Sequence, residues 1–162
     1  MIIRELLVQD WPQVREIYSQ GILTGNATFQ KDVPTWEEWD ASHLSNCRLV
    51  ALKDSTITGW AVLSPVSSRC VYAGVAEVSI YVSSAFSRQG IGKLLMNQLI
   101  ADSEKHGIWT LQSGIFPENT ASIALHKKTG FREVGYREKI GQMNGVWRNS
   151  MLLERRSQTV FI

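Results

Sequence analysis

Residues 77–93 read Glu-Val-Ser-Ile-Tyr-Val-Ser-Ser-Ala-Phe-Ser-Arg-Gln-Gly-Ile-Gly-Lys, and this stretch decides the fold. Its first six residues alternate polar and apolar side chains, which predicts a half-buried strand. After the glycines, a set of residues recurs at the spacing of one helical face, namely Leu94, Leu95, Gln98 and Leu99. The sequence therefore predicts a strand, a turn and a helix in direct succession.

The turn between the strand and the helix is suited to hold an anion. Gly90 and Gly92 allow a ligand to approach the main chain closely. Several N–H groups of the first helical turn lack intrahelical partners, and the helix dipole adds partial positive charge there. Arg88 and Lys93 add full charges. This spacing fits a pyrophosphate better than a single carboxylate, and an ordinary glycine-rich turn is the alternative interpretation.

A second segment, from Asn119 to Phe131, reads Asn-Thr-Ala-Ser-Ile-Ala-Leu-His-Lys-Lys-Thr-Gly-Phe. In this order, the two segments resemble the cofactor-binding core of the GNAT superfamily of N-acetyltransferases. Three motifs further resemble the phosphinothricin and methionine sulfoximine acetyltransferases of that superfamily: Glu77-x-Ser79-Ile80-Tyr81-Val82, Ala27-Thr28-Phe29 and Gly145-x-Trp147. The likeness covers nearly the whole chain.

The rest of the pattern predicts alternating strands and helices. A short strand at Ile2 and Ile3 precedes a helix that we expect Asp10 to cap. A second helix begins at Thr35, with Glu38 at the capping-box position. The remaining predicted elements are strands at 48–53, 57–63 and 109–115, a helix at 119–128, and a closing strand pair at 131–140 and 146–153. This order predicts an α+β (mixed α/β) fold. The resemblance implies a GNAT-type sheet that is mixed and mostly antiparallel, with helices on both faces and a splayed cofactor-binding strand pair.

Composition narrows the function classes. A chain of 162 residues with a net charge of +2 fits a single domain, residues 1–162, without the basic stripe of a nucleic-acid surface. We see no leader and no apolar run long enough to span a bilayer, so we expect a cytoplasmic protein without membrane contact. Cys47 and Cys70 have no metal-type spacing, and no histidine cluster is present, so we expect free thiols and no metal.

The resemblance implies acetyl-coenzyme A as the co-substrate. In the family, the strand that carries Ile80, Tyr81 and Val82 binds pantetheine through its main chain, and one N–H, here that of Val82 or its neighbour, faces the thioester oxygen. The glycine turn would hold the pyrophosphate through Arg88, Gln89, Gly90, Ile91, Gly92 and Lys93. The helix that begins at Asn119 would contact pantetheine through Asn119 and Ser122. For the strand residues, the alternative is ordinary sheet packing, and for Asn119 it is simple N-capping.

Glu77 is the candidate base that takes the proton of the acceptor amine, directly or through water. A carboxylate within a partly buried strand is costly unless it has a task or a partner. The alternative is a salt bridge to a basic residue or a counter-ion role for the substrate's ammonium. Tyr81 shares its face with Glu77 and is a candidate to orient the substrate. Many members of the superfamily carry a proton-donating Tyr where this chain has His126, so His126 is a candidate acid, with a structural role as the alternative.

The acceptor implied by the resemblance is a small amino acid analogue with a free α-amine, such as phosphinothricin or methionine sulfoximine, which points to a detoxifying or resistance function. Candidate substrate-binding residues lie in an early loop and in the segment before the central strand: Phe29, Arg69, Cys70, Val71, Tyr72 and Glu77. Arg69 could bind a carboxylate with both guanidinium nitrogens. Two positions depart from the family pattern, namely Ser87, normally Arg or Gln, and Asn149, normally Asp.

Two other functions stay open at this stage. The chain could modify protein or peptide amines, or bind coenzyme A without catalysis. A protein modifier needs an open groove, whereas the bulky Phe29, Trp36, Trp39 and Tyr72 indicate an aromatic-walled pocket, although core packing explains Trp residues equally well. The family commonly forms dimers, so a homodimer is expected, but no sequence feature decides the oligomeric state.

Overall fold

The computed structural model describes all 162 residues, Met1–Ile162. Seven strands and four α-helices alternate along the chain, joined in places by single 3₁₀ turns. In order they are β1 (Ile2–Glu5), α1 (Trp11–Leu23), α2 (Trp36–Ser42), β2 (Leu49–Lys53), β3 (Thr56–Pro65), β4 (Val75–Val82), α3 (Ile91–Lys105), β5 (Thr110–Ile115), α4 (Thr120–Lys128), β6 (Arg132–Met143) and β7 (Val146–Arg156). None of the helices combines the length and the apolar character needed to cross a membrane.

All seven strands form one sheet in the order β1-β2-β3-β4-β5-β7-β6. Every neighbouring pair is antiparallel except β4 and β5, which are parallel. The predicted fold class is confirmed, because the sheet is mixed, mostly antiparallel and covered by helices on both faces.

The two faces of the sheet bury separate apolar clusters. On one face, α3 packs Leu95, Met96 and Leu99 against alternate residues of the central strands. On the other, α1 and α2 pack Val14 and Trp39 against a second set, namely Val50, Ile57, Trp60 and Val62. Leu94 of α3 is 46% exposed, so the predicted apolar stripe is rotated toward Ile91, Leu95 and Leu99.

Local sequence signals fix several boundaries. Thr35 and Glu38 form the predicted capping box at the start of α2. Asp54 and Ser55 both have positive φ, which is the geometry of a tight hairpin turn between β2 and β3. Asp10 occupies the N-cap position of α1, as predicted. Its carboxylate, however, does not bond the helix but accepts hydrogen bonds from the Leu7 N–H and from Arg4, because the preceding 3₁₀ turn brings these donors closer.

The parallel pair β4–β5 stays together for only three residues. Val75, Ala76 and Glu77 pair with Thr110, Leu111 and Gln112, and no pairing continues beyond Glu77. The rest of β5 pairs with β7 alone, and Val78–Val82 pair with β3 alone. The sheet therefore opens into a wedge between β4 and β5, which confirms the predicted splayed pair.

Gly59 of β3 lies where the sheet and α3 are closest. A methyl group at this position would lie 2.9 Å from the main-chain oxygen of Tyr81 and 3.1 Å from Leu95 of α3. The absence of a side chain at residue 59 thus lets α3 lie directly beneath the strand that borders the wedge.

We expect Gly59→Ala to destabilise the protein by about 1–3 kcal/mol, because neither a ladder carbonyl nor a packed helix can move freely to admit the methyl group. Gly135→Ala is the matched control, since Gly135 also lies in a strand and a methyl group there meets nothing within 4 Å. Urea unfolding measures both variants. Equal stability of the two would contradict the proposed close approach.

Candidate active site

The wedge exposes main-chain groups of β4 that no strand satisfies. The Ser83 N–H donates to the Thr58 carbonyl on β3 at 2.9 Å, and main-chain groups alternate sides along a strand. The N–H and C=O groups of Tyr81 therefore face β3, whereas those of Ile80 and Val82 face the wedge. An extended chain inserted there would find a ready edge for hydrogen bonding.

The turn after β4 directs free amides toward the open end of the same strand. Gly90 is the N-cap of α3, with φ +78°, and Arg88 also has a positive φ of +61°. The first main-chain bond of the helix runs from the Leu94 N–H to the Gly90 carbonyl, so the N–H groups of residues 91–93 lack helical partners. Arg88 and Lys93 are exposed and form no salt bridge, which leaves both charges available to an anion.

Helix α4 approaches the same turn. A methyl group at Gly92 would lie 3.1 Å from Leu125 and 3.9 Å from Val82, so this glycine permits close packing of α3, α4 and β4. Asn119 caps α4 by accepting the Ser122 N–H at 3.2 Å. Asn119 therefore caps α4, as the alternative interpretation held. The two N–H donors of its side-chain amide remain free for a ligand.

Glu77 occupies the last paired position before the wedge opens. Its side chain is half-buried and has neither a hydrogen-bond donor nor a cation as partner. The salt bridge that the sequence left open is absent. A half-buried carboxylate without a protein partner is free to bind a cationic or hydrogen-bonding ligand, which favours a role toward a ligand.

Tyr81 lies on the same face as Glu77, but its ring belongs to the core. It stacks on Trp60 with ring centroids 4.7 Å apart and packs on Tyr18 at 5.0 Å. Burial raises the pKa of its phenol well above the ordinary value. The geometry contradicts the predicted substrate-orienting and cofactor-binding roles of Tyr81, because its ring is packed and its main chain is paired with β3.

His126 lies on the buried face of α4, with 1% of its surface exposed. Its Nδ1–H donates to the Ser122 carbonyl at 2.7 Å, its ring meets the edge of Phe131, and Nε2 has no partner. Burial lowers the pKa of the imidazole, so it is neutral near pH 7 and its one proton is committed to a carbonyl. This geometry favours the structural alternative for His126 over the predicted acid.

An arginine clamp fixes the loop that follows α1. Arg148 of β7 donates to the Gly25 carbonyl and to Asn26, each at 2.9 Å, and lies 4.1 Å from the ring centre of Phe116. Phe29 packs edge-on against Phe116 at 4.7 Å. The predicted acceptor residue Phe29 is thus held at the far side of the wedge from α3.

Gly114 leaves the space beside the Glu77 carboxylate unfilled. A methyl group at residue 114 would lie 3.2 Å from the Ser150 hydroxyl and 3.9 Å from a carboxylate oxygen of Glu77. Any side chain there would separate these two polar groups, so the glycine leaves room for a small ligand group between them.

A cavity of about 500 Å³ lies next to this space, at Gln112 and Glu154. The segment after β3 forms its roof, and the residues around it are Val66, Ser67, Val71, Tyr72, Val75, Trp109, Thr110, Gln112 and Glu154. Arg69 stacks on Tyr72 at 5.5 Å, so its charge lies near the rim. Val71 and Tyr72, two of the predicted substrate-binding residues, line this cavity. Cys70 is exposed on the same turn, and Trp36 and Trp39 pack into the core instead.

The remaining candidates carry no site chemistry. Burial raises the pKa of the Cys47 thiol to about 11, so it stays protonated. No cluster of three or more His, Cys, Asp or Glu side chains is arranged to hold a metal ion. Asn149, where the family pattern has Asp, accepts the Lys139 N–H at 2.7 Å and supports an irregular part of β6.

The sequence matches the acetyltransferase (GNAT) family over residues 3–131. A phosphinothricin N-acetyltransferase of Alcaligenes faecalis is 29% identical, and the match covers 94% of this chain and 81% of that relative. An L-methionine sulfoximine/L-methionine sulfone acetyltransferase of Salmonella typhimurium is 28% identical over 91% of this chain and 89% of the relative.

Solved structures agree with the fold. A GNAT superfamily phosphinothricin acetyltransferase from Sinorhizobium meliloti, in complex with acetyl-coenzyme A, superposes with a TM-score of 0.86 at 25% identity and covers 99% of this chain and 95% of its own. A ribosomal-protein-alanine N-acetyltransferase from Brucella melitensis gives 0.88 at 27% identity, over 97% and 100% of the two chains.

Several residues near Glu77 had no signal in the sequence. Gln112, Gly114, Ser150 and Glu154 come from strands far along the chain, and only the pairing of β5 with β4 and β7 brings them to the site. Alternation along each strand could have given their face, but not their neighbours.

We expect the His126→Phe variant to lose less stability than the wild-type protein when the pH is lowered. Below about pH 6.5 the unfolded chain takes up a proton that the buried, neutral imidazole refuses, so stability falls with pH by at most about 1.4 kcal/mol per unit for each such histidine. His43, whose pKa burial also lowers, retains its share.

Urea unfolding at pH 7, 6 and 5 measures this effect. The control is Leu94→Ala, which alters an exposed side chain without a titratable group and should keep the wild-type slope. A His126→Phe profile parallel to wild type would contradict the assignment of a buried neutral imidazole.

Proposed function

The chain belongs to the acetyltransferase (GNAT) family, and from this premise we propose that it transfers an acetyl group from acetyl-coenzyme A to the α-amine of a small amino acid analogue, with Glu77 as the general base. The observation that carries the proposal is the half-buried Glu77 carboxylate, which lacks a partner at the point where β4 and β5 separate. The proposed acceptors are of the phosphinothricin and methionine sulfoximine or sulfone type, by analogy with the named relatives.

The residues around the wedge fit acetyl-coenzyme A. Ile80 and Val82 offer unpaired main-chain groups to an extended pantetheine arm, and Asn119 and Ser122 lie on the helix beside the turn. The pyrophosphate would lie against the free amides of the turn at the start of α3, with charge from two side chains, so the binding set is Arg88, Gln89, Gly90, Ile91, Gly92 and Lys93. The cofactor supplies the acetyl group as an activated thioester.

Glu77 would accept the proton that the acceptor's ammonium must lose before its nitrogen can attack. It lies on the strand whose Val82 or Ile80 N–H would donate to the thioester oxygen as negative charge develops. The acceptor's amine and the thioester carbonyl would then both be held by one rigid strand, and this positioning favours the reaction. A thiolate leaves without a dedicated acid, so no proton from His126 is required.

The acceptor side would be formed by the cavity and the clamped loop. Phe29 and the segment 69–72 border the face that carries Glu77. Arg69 would bind the acceptor's α-carboxylate at the rim, and Cys70 would contribute only through its main chain, because its side chain is solvent-exposed.

A second candidate function is acetylation of a protein N-terminus. The solved ribosomal-protein-alanine N-acetyltransferase, which shares the fold and 27% identity, favours it. The clamp by Arg148 argues against it, because this clamp ties the loop at Gly25 and Asn26 down onto the face that an incoming peptide would cross.

Three broader features complete the proposal. One continuous sheet runs through the whole chain, which supports a single catalytic domain. The outer hairpin β6–β7 exposes apolar side chains that would suit a homodimer contact: Val134, Tyr136, Ile140, Val146 and Trp147. We place the reaction in the cytoplasm, where acetyl-coenzyme A would be supplied.

Release of free coenzyme A thiol tests the proposed reaction. The acceptors are methionine sulfoximine, methionine sulfone, phosphinothricin, ordinary amino acids, polyamines and a peptide with N-terminal alanine. Turnover confined to the small amino acid analogues would support the proposal. Turnover confined to the peptide would transfer the assignment to the second candidate.

We expect Glu77→Gln to lower kcat by about 10²–10⁴-fold, because the amide is isosteric but cannot take the amine proton. Affinity for acetyl-coenzyme A, measured by calorimetry, should stay near wild type. The control is Glu133→Gln, since Glu133 pairs with Lys127 away from the site. Unchanged turnover at every pH in the Glu77 variant would contradict the assignment of Glu77 as the general base.

Gly90→Val should weaken acetyl-coenzyme A binding by about tenfold or more, because a branched side chain both strains the positive φ and blocks close approach to the amides. Gly145→Val is the matched control, as Gly145 has φ +77° in the β6–β7 turn and equal open space. Circular dichroism checks the fold of both variants. Full affinity in Gly90→Val would show that the pyrophosphate lies elsewhere.

A further inference from the structure

Four residues on four neighbouring strands lie in register and form a row on the face that carries Glu77. The strand register places Glu77 beside Gln112, Gln112 beside Glu154, and Glu154 beside Arg132. Neighbouring strands are about 4.8 Å apart, so the α-carbons of Glu77 and Glu154 are separated by about 10 Å, with the Gln112 amide between them. A small amino acid can lie along such a row with its amine at Glu77.

The far part of this row faces the cavity of about 500 Å³ described above. Gln112 and Glu154 are both among its lining residues. The other walls are mostly apolar and include the rings of Tyr72 and Trp109. An acceptor whose amine lies at Glu77 would therefore extend its side chain over Gln112 and toward Glu154.

Gln112 has polar groups to offer. Its side chain is half-buried, and none of its amide donors or acceptors is engaged by another protein group. The amide therefore has its donors and acceptor free for a ligand, and an oxygen on the acceptor's side chain would accept a hydrogen bond from its NH₂ group.

Glu154 makes the end of the cavity acidic. Its carboxylate pairs with Arg132 at 2.5 Å, but the two side chains differ in how far they are exposed to solvent. Arg132 is 68% exposed and does not line the cavity, whereas Glu154 is 29% exposed and does. The guanidinium thus covers the carboxylate from the solvent side, and Glu154 is the member of the pair that borders the cavity.

We infer that Gln112 and Glu154 set the acceptor specificity of this site. Gln112 donates a hydrogen bond to an uncharged oxygen on the acceptor's side chain, and Glu154 repels an anionic one. The chain therefore selects amino acids with a neutral, oxygen-bearing side chain, such as methionine sulfone, over those with an anionic side chain, such as phosphinothricin. This inference rests on the proposed function. Arg69 does not discriminate, since every such acceptor carries the α-carboxylate that it would bind.

The test compares kcat/KM for phosphinothricin with kcat/KM for methionine sulfone in the full-length protein. Glu154→Gln should raise this ratio about fivefold, because it removes one like charge, whereas Arg132→Gln should lower it by a similar factor, because it leaves that charge unscreened. The control is Glu133→Gln. Glu133 follows Arg132 on β6, but its side chain lies on the opposite face of the sheet and pairs with Lys127, so the ratio should stay unchanged.

Gln112→Met provides an independent readout. It should reduce the preference for methionine sulfone over methionine about tenfold, because the two acceptors differ only in the sulfone oxygens that Gln112 would bind. A structural role alone would lower both rates together.

Opposite shifts of the ratio in the Glu154 and Arg132 variants support the inference. An unchanged ratio in both, or wild-type preference for phosphinothricin, overturns it while the proposed function stands. Should Glu154→Gln fail to fold, Arg132→Gln decides the matter, since it alters an exposed side chain. No turnover with any amino acid acceptor overturns the proposed function and this inference with it.

Discussion

The separation of β4 from β5 is the constraint on which the rest of the structure depends. Inside a sheet, main-chain N–H and C=O groups that lack partners are costly, yet Ile80 and Val82 carry such groups in the middle of the molecule. The fold tolerates them because each bordering strand is fully held on its other side, β4 by β3 and β5 by β7. Gly59 and Gly92 then let α3 and α4 close beneath the opening without filling it.

The proposed cofactor side of the site is local in sequence, and this is why its strand, turn and helix could be predicted. The strand, the glycine turn and the start of α3 are contiguous, so alternation, helical period and glycine placement identify them without any knowledge of tertiary contacts. The splayed pair was an expectation from the family resemblance, and the three-residue pairing of β4 with β5 confirms it. Tyr81 shows the limit, because alternation gave its face correctly but could not show that Trp60 and Tyr18 would cover its ring.

The proposed acceptor side is assembled from distant segments, and the sequence alone identified few of its residues. The row from Glu77 to Arg132 joins four strands whose register depends on a parallel crossover and on the position of the last hairpin. A shift of one residue would turn Gln112 and Glu154 to the opposite face. His126 shows a second limit. Its place on the helix was correct, but a burial that leaves it neutral and packed is a property of the folded core.

The arginine clamp joins the beginning of the chain to its end. Arg148 holds the main chain at Gly25, 123 positions earlier, whereas the strand, turn and helices around the wedge lie between residues 75 and 128. During synthesis, the segments that would bind the cofactor thus emerge well before the residue that fixes the acceptor loop. The strand that carries this arginine also completes the sheet beside β5. A chain stalled or truncated before residue 148 would therefore present an exposed edge at β5 and a loose acceptor wall, and the final hairpin closes both at once.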